Sequence, residues 1–195
     1  MRFIGFYDYT VILTYVSVVS AFVGMVFAHK GIFGAAMLCL FLSGFCDAFD
    51  GTVARTKKNR TEDEKAFGIQ LDSLCDVVSF GAAPAFACYC MGVNSPAGMV
   101  ILAIFCICAV IRLAFFNVLE AKRQQVETGG NKYYRGLPVT SISVIFSLLY
   151  LFHGFFREVV FVGILHGMLL VVAFLFVLDF RVKKIDIQKI ICNKK

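Results

Sequence analysis

Six long apolar runs divide the chain, at roughly 10–29, 31–54, 67–91, 96–118, 137–154 and 158–180, with short polar connections between them. Each approaches the ~20 apolar residues that a helix needs to cross a bilayer. Together they use nearly the whole chain. The pattern therefore predicts an all-α, polytopic integral membrane protein with about six transmembrane helices, built as a single domain over 1–195. The first run is too long, and lacks a small-residue cleavage site, to be a removed leader, so it reads as the first span. There is no internal repeat and no low-complexity segment.

Polar residues break the pattern most sharply in CDAFDGTVARTKKNRTEDEKAFGIQLDSLCD, residues 46–76. Here Asp47, Asp50, Asp72 and Asp76 occupy positions where the surrounding runs carry Leu, Phe, Val and Cys. Asp47 and Asp50 are three apart and Ala54 is four beyond Asp50, so on a helix they share a face, with Gly51 beside them. Gly68, Asp72 and Asp76 are spaced by four and stack on another face. Between the two lies a polar hairpin, 56–66, in which Thr61 followed by Glu64 reads as a capping box that opens the third helix. The prediction is a helical hairpin whose two pairs of carboxylates face each other about one turn inside the membrane.

The cost of that arrangement points to its chemistry. An Asp at mid-helix costs about 2.5–3.5 kcal/mol on the insertion scale, and four together on the order of 10 kcal/mol before their repulsion is counted. Packing does not offset this, whereas a divalent cation does. Oxygen-rich acids suit the hard ions Mg²⁺, Mn²⁺ or Ca²⁺, which also accept phosphate oxygens. One or two ions fit four acids. Gly51, Ala54 and Gly68 lie on the acid faces and leave the cleft free of bulky side chains. A ligand that comes close to the backbone, binds metal and arrives at the interface fits a diphosphate.

Composition narrows the class further. Of 195 residues, 59% are hydrophobic and only 16% charged, which excludes an ordinary soluble domain. The net charge of +6 does not signal nucleic acid, because its distribution follows topology. Six spans place the N-terminus, the 55–66 loop, the 119–136 loop and the tail on one side, and nearly all basic residues lie there. The other side has Lys30 and Arg157, and Arg112 lies within a span. By the positive-inside rule the basic side is cytoplasmic, which makes this a multi-pass cell-membrane protein with the acid site at the cytoplasmic face. Lys57, Lys58 and Arg60 read as topology determinants. Seven of the eight cysteines lie in predicted spans without CxxC pairing and read as small apolar filler. His29, His153 and His166, and Leu13-Thr14-Tyr15 in the first span, are assigned no chemistry.

Asp47, Asp50-Gly51, Ala54-Arg55, Gly68, Asp72 and Asp76 match D-x-x-D-G-x-x-A-R…G-x-x-x-D-x-x-x-D, and on them the chain resembles the CDP-alcohol phosphotransferases. Twelve residues separate Arg55 from Gly68, about one helical turn more than that pattern leads us to expect. The segments LDSLCDVVSFGAAPAF (71–86), RLAFFNV (112–118) and YYRGLPVTSISV (133–144) resemble the phosphatidylserine synthase branch in its six-helix form. The resemblance implies transfer of a phosphatidyl-type group from CDP-diacylglycerol or CDP-archaeol to L-serine, with release of CMP, by a homodimer among membrane lipids. It implies that Asp47, Asp50 and Asp72 hold one metal ion, that Asp72 and Asp76 help to hold a second, and that Asp76 is also the general base. It further implies that Gly51, Ala54, Arg55 and Gly68 line the CDP cleft.

Arg112, Asn117 and Arg135 are candidates for phosphate or serine recognition. For Arg112 the competing reading is an arginine that snorkels to the surface; for Arg135 it is topology charge. Pro138 is expected to start a helix and Pro84 to kink one. The rival acceptors are inositol phosphate and glycerol phosphate. A rival of another class is a metal or proton transporter that uses intramembrane acids, but transporters spread such acids along several spans, whereas these cluster near one face.

Overall fold

The computed structural model describes residues 5–6, 9–54, 57, 61–126 and 133–183. Helix α1, Ile12–His29, follows a short 3₁₀ turn at Tyr9–Val11, and a turn at Gly31 reverses the chain into α2, Phe33–Ala54. These two form the closest helix pair. Ala21, Gly24 and Ala28 of α1 are buried against α2. A Cβ at Gly24 would fall 3.1 Å from Cys39 Cβ and 3.3 Å from the Ala36 carbonyl oxygen, so glycine is what lets the backbones meet. Hydroxyls add polar contacts: Ser17 Oγ lies 2.8 Å from Ser43 Oγ, and Ser20 Oγ donates to the Cys39 carbonyl at 2.8 Å.

The third span is a rod in three parts: α3, Glu62–Asp76; a π-helical turn, Val77–Ala82; and α4, Ala83–Cys90. The expected capping box is present. The Glu64 N–H donates to Thr61 Oγ1 at 3.2 Å, and the Thr61 N–H donates to Glu64 Oε2 at 2.9 Å. The irregularity expected at Pro84 takes the form of the π turn, in which the Ala83 N–H reaches back five residues to the Val78 carbonyl. Pro84 has no N–H to give and its ring crowds the preceding turn. The wider turn just before it accommodates both.

Helix α5 spans Pro96–Val126 and runs about two turns past the expected end of the fourth span. The fifth predicted span, 137–154, is corrected. Helix α6 is Ser141–Leu151 and continues only as a 3₁₀ turn at His153–Phe155. Its apolar length, Ser141–Phe155, covers ~22 Å against a hydrocarbon core of ~30 Å. Pro138 does not start it. Gly136 has a φ of +66°, and both the N–H and the Oγ of Ser141 donate to the Pro138 carbonyl, so a turn occupies the residues expected to be helical. Helix α7 is Glu158–Val177. Among the described residues, five helices are thus long and apolar enough to cross a membrane, with α6 as a shorter sixth, and they fit a multi-pass membrane protein.

One feature was not expected in an all-α chain. Strands β1, Tyr133–Arg135, and β2, Arg181–Lys183, pair antiparallel with Tyr134 opposite Val182. Runs of three residues carry too little periodicity to be seen in sequence. The core lies where the π turn, α5, α6 and α7 meet, around Phe80, Phe105, Phe146, Leu165 and Phe176. Outward faces remain apolar, as at Phe22, Ile107 and Phe174, which suits a hydrocarbon surrounding.

Candidate active site

Asp47 and Asp50 occupy the last two turns of α2, and Asp72 and Asp76 the second half of α3. Helix α1 packs on both, so the carboxylates meet over a cleft that α1 closes from one side. The two helices run in opposite directions, and the acids pair crosswise. The Asp50 and Asp72 side chains lie within hydrogen-bonding reach of each other, and so do those of Asp47 and Asp76. Asp50–Asp72 is the outer pair, nearer the polar hairpin, and Asp47–Asp76 the inner. Carboxylate oxygens of Asp47, Asp50 and Asp72 fall within 4.8 Å of one another. Asp76 is the most enclosed, at 8% exposure, and the other three are half-buried.

This donor set fits a metal ion. All the ligand atoms are hard oxygens, which suit Mg²⁺, Mn²⁺ or Ca²⁺. One of them, Asp72 Oδ1, is buried and has no hydrogen-bond partner among the described residues. An unsatisfied buried acceptor costs ~1–3 kcal/mol, more when charged, and a cation between the carboxylates would remove that cost along with their repulsion. Beside the acids, Gly51 faces open space: apart from its chain neighbours and the backbone of its own helix, no atom of a described residue lies within 4 Å of where its Cβ would be. Gly68 is half-buried one turn before Asp72, and Ala54 is the last residue of α2. Arg55, Lys58 and Arg60 lie outside the described residues.

A residue to which the sequence pattern gives no role joins the site. Thr14 of α1, buried at 6% exposure, donates from Oγ1 to Asp50 Oδ2 at 3.1 Å. A lone threonine in an apolar run carries no local signal, and only the packing of α1 on α2 reveals the contact. Ser73, between Asp72 and Asp76, donates from Oγ to Asn117 Oδ1 of α5 at 2.8 Å. That bond ties Asn117 to α3.

Arg112 is placed differently. It is 5% exposed, its Nε donates to the Leu137 carbonyl at 3.0 Å, and its guanidinium lies 3.8 Å over the Phe116 ring. Asp179, just beyond α7, is close enough to act on its charge. A Cβ at Gly136 would stand 3.4 Å from the guanidinium and 2.9 Å from the Leu178 carbonyl, so the positive φ there serves a close approach. Apart from Phe116 on α5 itself, these contacts lie in the loop before α6 and just past the end of α7. A side chain this enclosed does not snorkel to the surface. Arg135 lies on β1, opposite Arg181.

Comparison with known proteins decides the family. The CDP-alcohol phosphatidyltransferase profile matches residues 9–179, which holds every acid and every helix described above. The chain belongs to the CDP-alcohol phosphatidyltransferase family. Among curated members, it is 34% identical over 148 residues to the archaetidylserine synthase of Methanothermobacter thermautotrophicus, covering 75% of this chain and 59% of that protein. It is 40% identical over 112 residues to the CDP-diacylglycerol–serine O-phosphatidyltransferase of Saccharomyces cerevisiae, covering 56% and 39%. It is 35% identical over 131 residues to the enzyme of the same name from Helicobacter pylori strain J99, covering 65% and 51%. The chain thus spans between 39% and 59% of the length of these relatives. Membership of this transferase family agrees with the resemblance carried by the acid signature.

Proposed function

We propose that this chain transfers a phosphatidyl or archaetidyl group from CDP-diacylglycerol or CDP-archaeol to the hydroxyl of L-serine and releases CMP. The observation that carries this reading is the crosswise apposition of Asp50 with Asp72 and Asp47 with Asp76 at one end of the bundle, beside open space at Gly51. Serine as acceptor is supported by the names of the relatives, which are serine phosphatidyl- and archaetidyltransferases. Clustering at one end of two spans also favours a transferase over a transporter, whose acids would follow a path across the bilayer.

In this reading Asp47, Asp50 and Asp72 would hold one divalent ion, Mg²⁺, Mn²⁺ or Ca²⁺, and Asp72 and Asp76 would help to hold a second. Such ions supply charge stabilisation to a diphosphate and to the departing CMP. Thr14 holds Oδ2 of the Asp50 carboxylate. Gly51, Ala54, Arg55 and Gly68 line the cleft for CDP. Asp76 takes the proton from the serine hydroxyl as that oxygen attacks the lipid-side phosphorus. The new phosphorus–oxygen bond forms while the bond to CMP breaks, and CMP leaves with the electron pair. Asn117, its carbonyl oxygen engaged by Ser73, keeps its amide N–H groups for a phosphate or the serine carboxylate. Arg112 holds the loop before α6, and Arg135 adds positive charge for anionic substrates.

The hairpin end faces the cytoplasm in this reading, because CDP and serine arrive from water while the lipid tails stay in the bilayer. The chain works as one domain over 1–195, paired as a homodimer with one site in each copy. The test is CMP release from CDP-diacylglycerol by the detergent-solubilised protein, with Mg²⁺ or Mn²⁺ and with chelator. Serine, inositol phosphate and glycerol phosphate are compared as acceptors. Metal-dependent release with serine is expected. Release that ignores chelator, or that needs a different acceptor, overturns the reading.

A further inference from the structure

At the other end of the bundle a cavity of about 480 Å³ opens between the start of α2, the end of α4, α6 and the start of α7. It is far from the acids, since Phe33, which lines it, lies fourteen residues before Asp47 on the same helix, or ~21 Å. Its volume is within the ~300–1,000 Å³ of small-molecule sites. Its walls are mostly apolar, with Phe33, Phe161 and Val159 among them, and its polar side chains are Tyr150, His153 and Glu158.

Glu158 begins α7 and His153 lies in the 3₁₀ turn before it, and neither side chain finds a polar partner among the described residues. Neither the Glu158 carboxylate nor the His153 ring nitrogens make a hydrogen bond or ion pair with any described residue. His153 is held by rings alone, stacked on Tyr150 at 5.4 Å and edge-on to Phe161 at 4.7 Å. A carboxylate, an imidazole and aromatic faces all favour a ligand that is positive and donates hydrogen bonds, and among the described residues no lysine or arginine lines the space. The flanking surface points to what carries the charge. Val159 and Phe155 are 85% and 83% exposed on the apolar exterior, a path along which an acyl chain can lie while its headgroup enters the cavity.

We propose that this cavity binds the primary-ammonium headgroup of a membrane lipid. Glu158 accepts a charge-assisted hydrogen bond from the ammonium, His153 accepts a second through a ring nitrogen, and Tyr150 and Phe161 hold the ring in place. The site does not depend on the reaction proposed above.

The experiment is native mass spectrometry on the full chain in detergent with chelator present. It is titrated with short-chain phosphatidylethanolamine and, separately, with its N-acetylated form, which keeps the phosphate and tails but lacks the charge. The wild type is expected to bind the free amine at least about tenfold more tightly than the acetylated lipid. Glu158→Gln should erase most of that preference, and His153→Phe, which preserves stacking, should reduce it severalfold. Thermal melting of each variant shows that it is folded, and CMP release, where present, should be unchanged. Equal binding of the two lipids, or a preference that survives Glu158→Gln, overturns the proposal and leaves the cavity as a seat for lipid tails.

Discussion

Thr14 and Asp50, thirty-six residues apart, are joined by a hydrogen bond of 3.1 Å that ties α1 to the acid end of α2. The hydroxyl holds Oδ2 of the carboxylate that also meets Asp72. Hydrogen bonds to charged groups contribute ~1.5–3 kcal/mol. Thr14→Val, which keeps the shape and removes the hydroxyl, should therefore raise the Mg²⁺ concentration for half-maximal activity about tenfold or more. Thr14→Ser should stay near wild type. An unchanged metal requirement in Thr14→Val would limit Thr14 to packing.

Asp76 is the most enclosed of the four acids and faces Asp47. If it takes the serine proton, Asp76→Asn should lower kcat by about 10²–10⁴, the usual contribution of a general base. Binding of a CDP nucleotide should change less than threefold, because Asp47, Asp50 and Asp72 remain. Isothermal titration with CDP and a steady-state CMP assay separate the two effects. Wild-type kcat in Asp76→Asn would remove Asp76 from the base role.

Much of this site is legible in the order of the amino acids. The acids stand out because charge is costly in an apolar run, and their three- and four-residue spacings fix which faces they share. Thr61 and Glu64 mark the start of α3 by a local rule, and the structure shows both hydrogen bonds of that rule. What stays hidden needs distant partners or the direction of a side chain. Thr14 gains its meaning only when α1 packs on α2. The same guanidinium at Arg112 could have met lipid headgroups, substrate or the chain itself, and its contacts with Leu137 and Phe116 follow from how α5 is rotated. The shortened α6 arises because Gly136 and Pro138 form a turn where hydropathy alone continues the helix.

Cation binding should stabilise the fold as well as serve the chemistry. Three carboxylates within 4.8 Å repel one another, and Asp72 Oδ1 lacks a partner among the described residues, so metal binds the native arrangement far better than the unfolded chain. At a free concentration of 100 Kd, such linkage adds ~2.7 kcal/mol. The detergent-solubilised protein should melt several degrees higher with Mg²⁺ or Mn²⁺ than with chelator. In Asp50→Asn the metal-free form should melt higher than metal-free wild type, because repulsion is relieved, and the response to metal should shrink. A melting temperature indifferent to divalent ions in the wild type would contradict a metal site at these residues.

Arg112 gives the sharpest separation between structure and recognition. It is buried, bonded to the Leu137 carbonyl and stacked on Phe116, with Asp179 close by. Arg112→Leu would leave the Leu137 carbonyl without its donor and remove the charge near Asp179, which is itself exposed, and losing a hydrogen bond from a charged group costs ~1.5–3 kcal/mol. Arg112→Lys keeps the charge but loses the planar fork and most of the ring stacking, so it should recover only part of that loss. Both variants should melt earlier, yet the fraction that remains folded at low temperature should keep a KM for serine within about threefold of wild type. If Arg112 instead bound the serine carboxylate, Arg112→Lys would melt normally while its KM for serine rose by tenfold or more. Melting curves paired with serine titrations in the cold decide between the two, and the contacts around Leu137 and Phe116 favour the first.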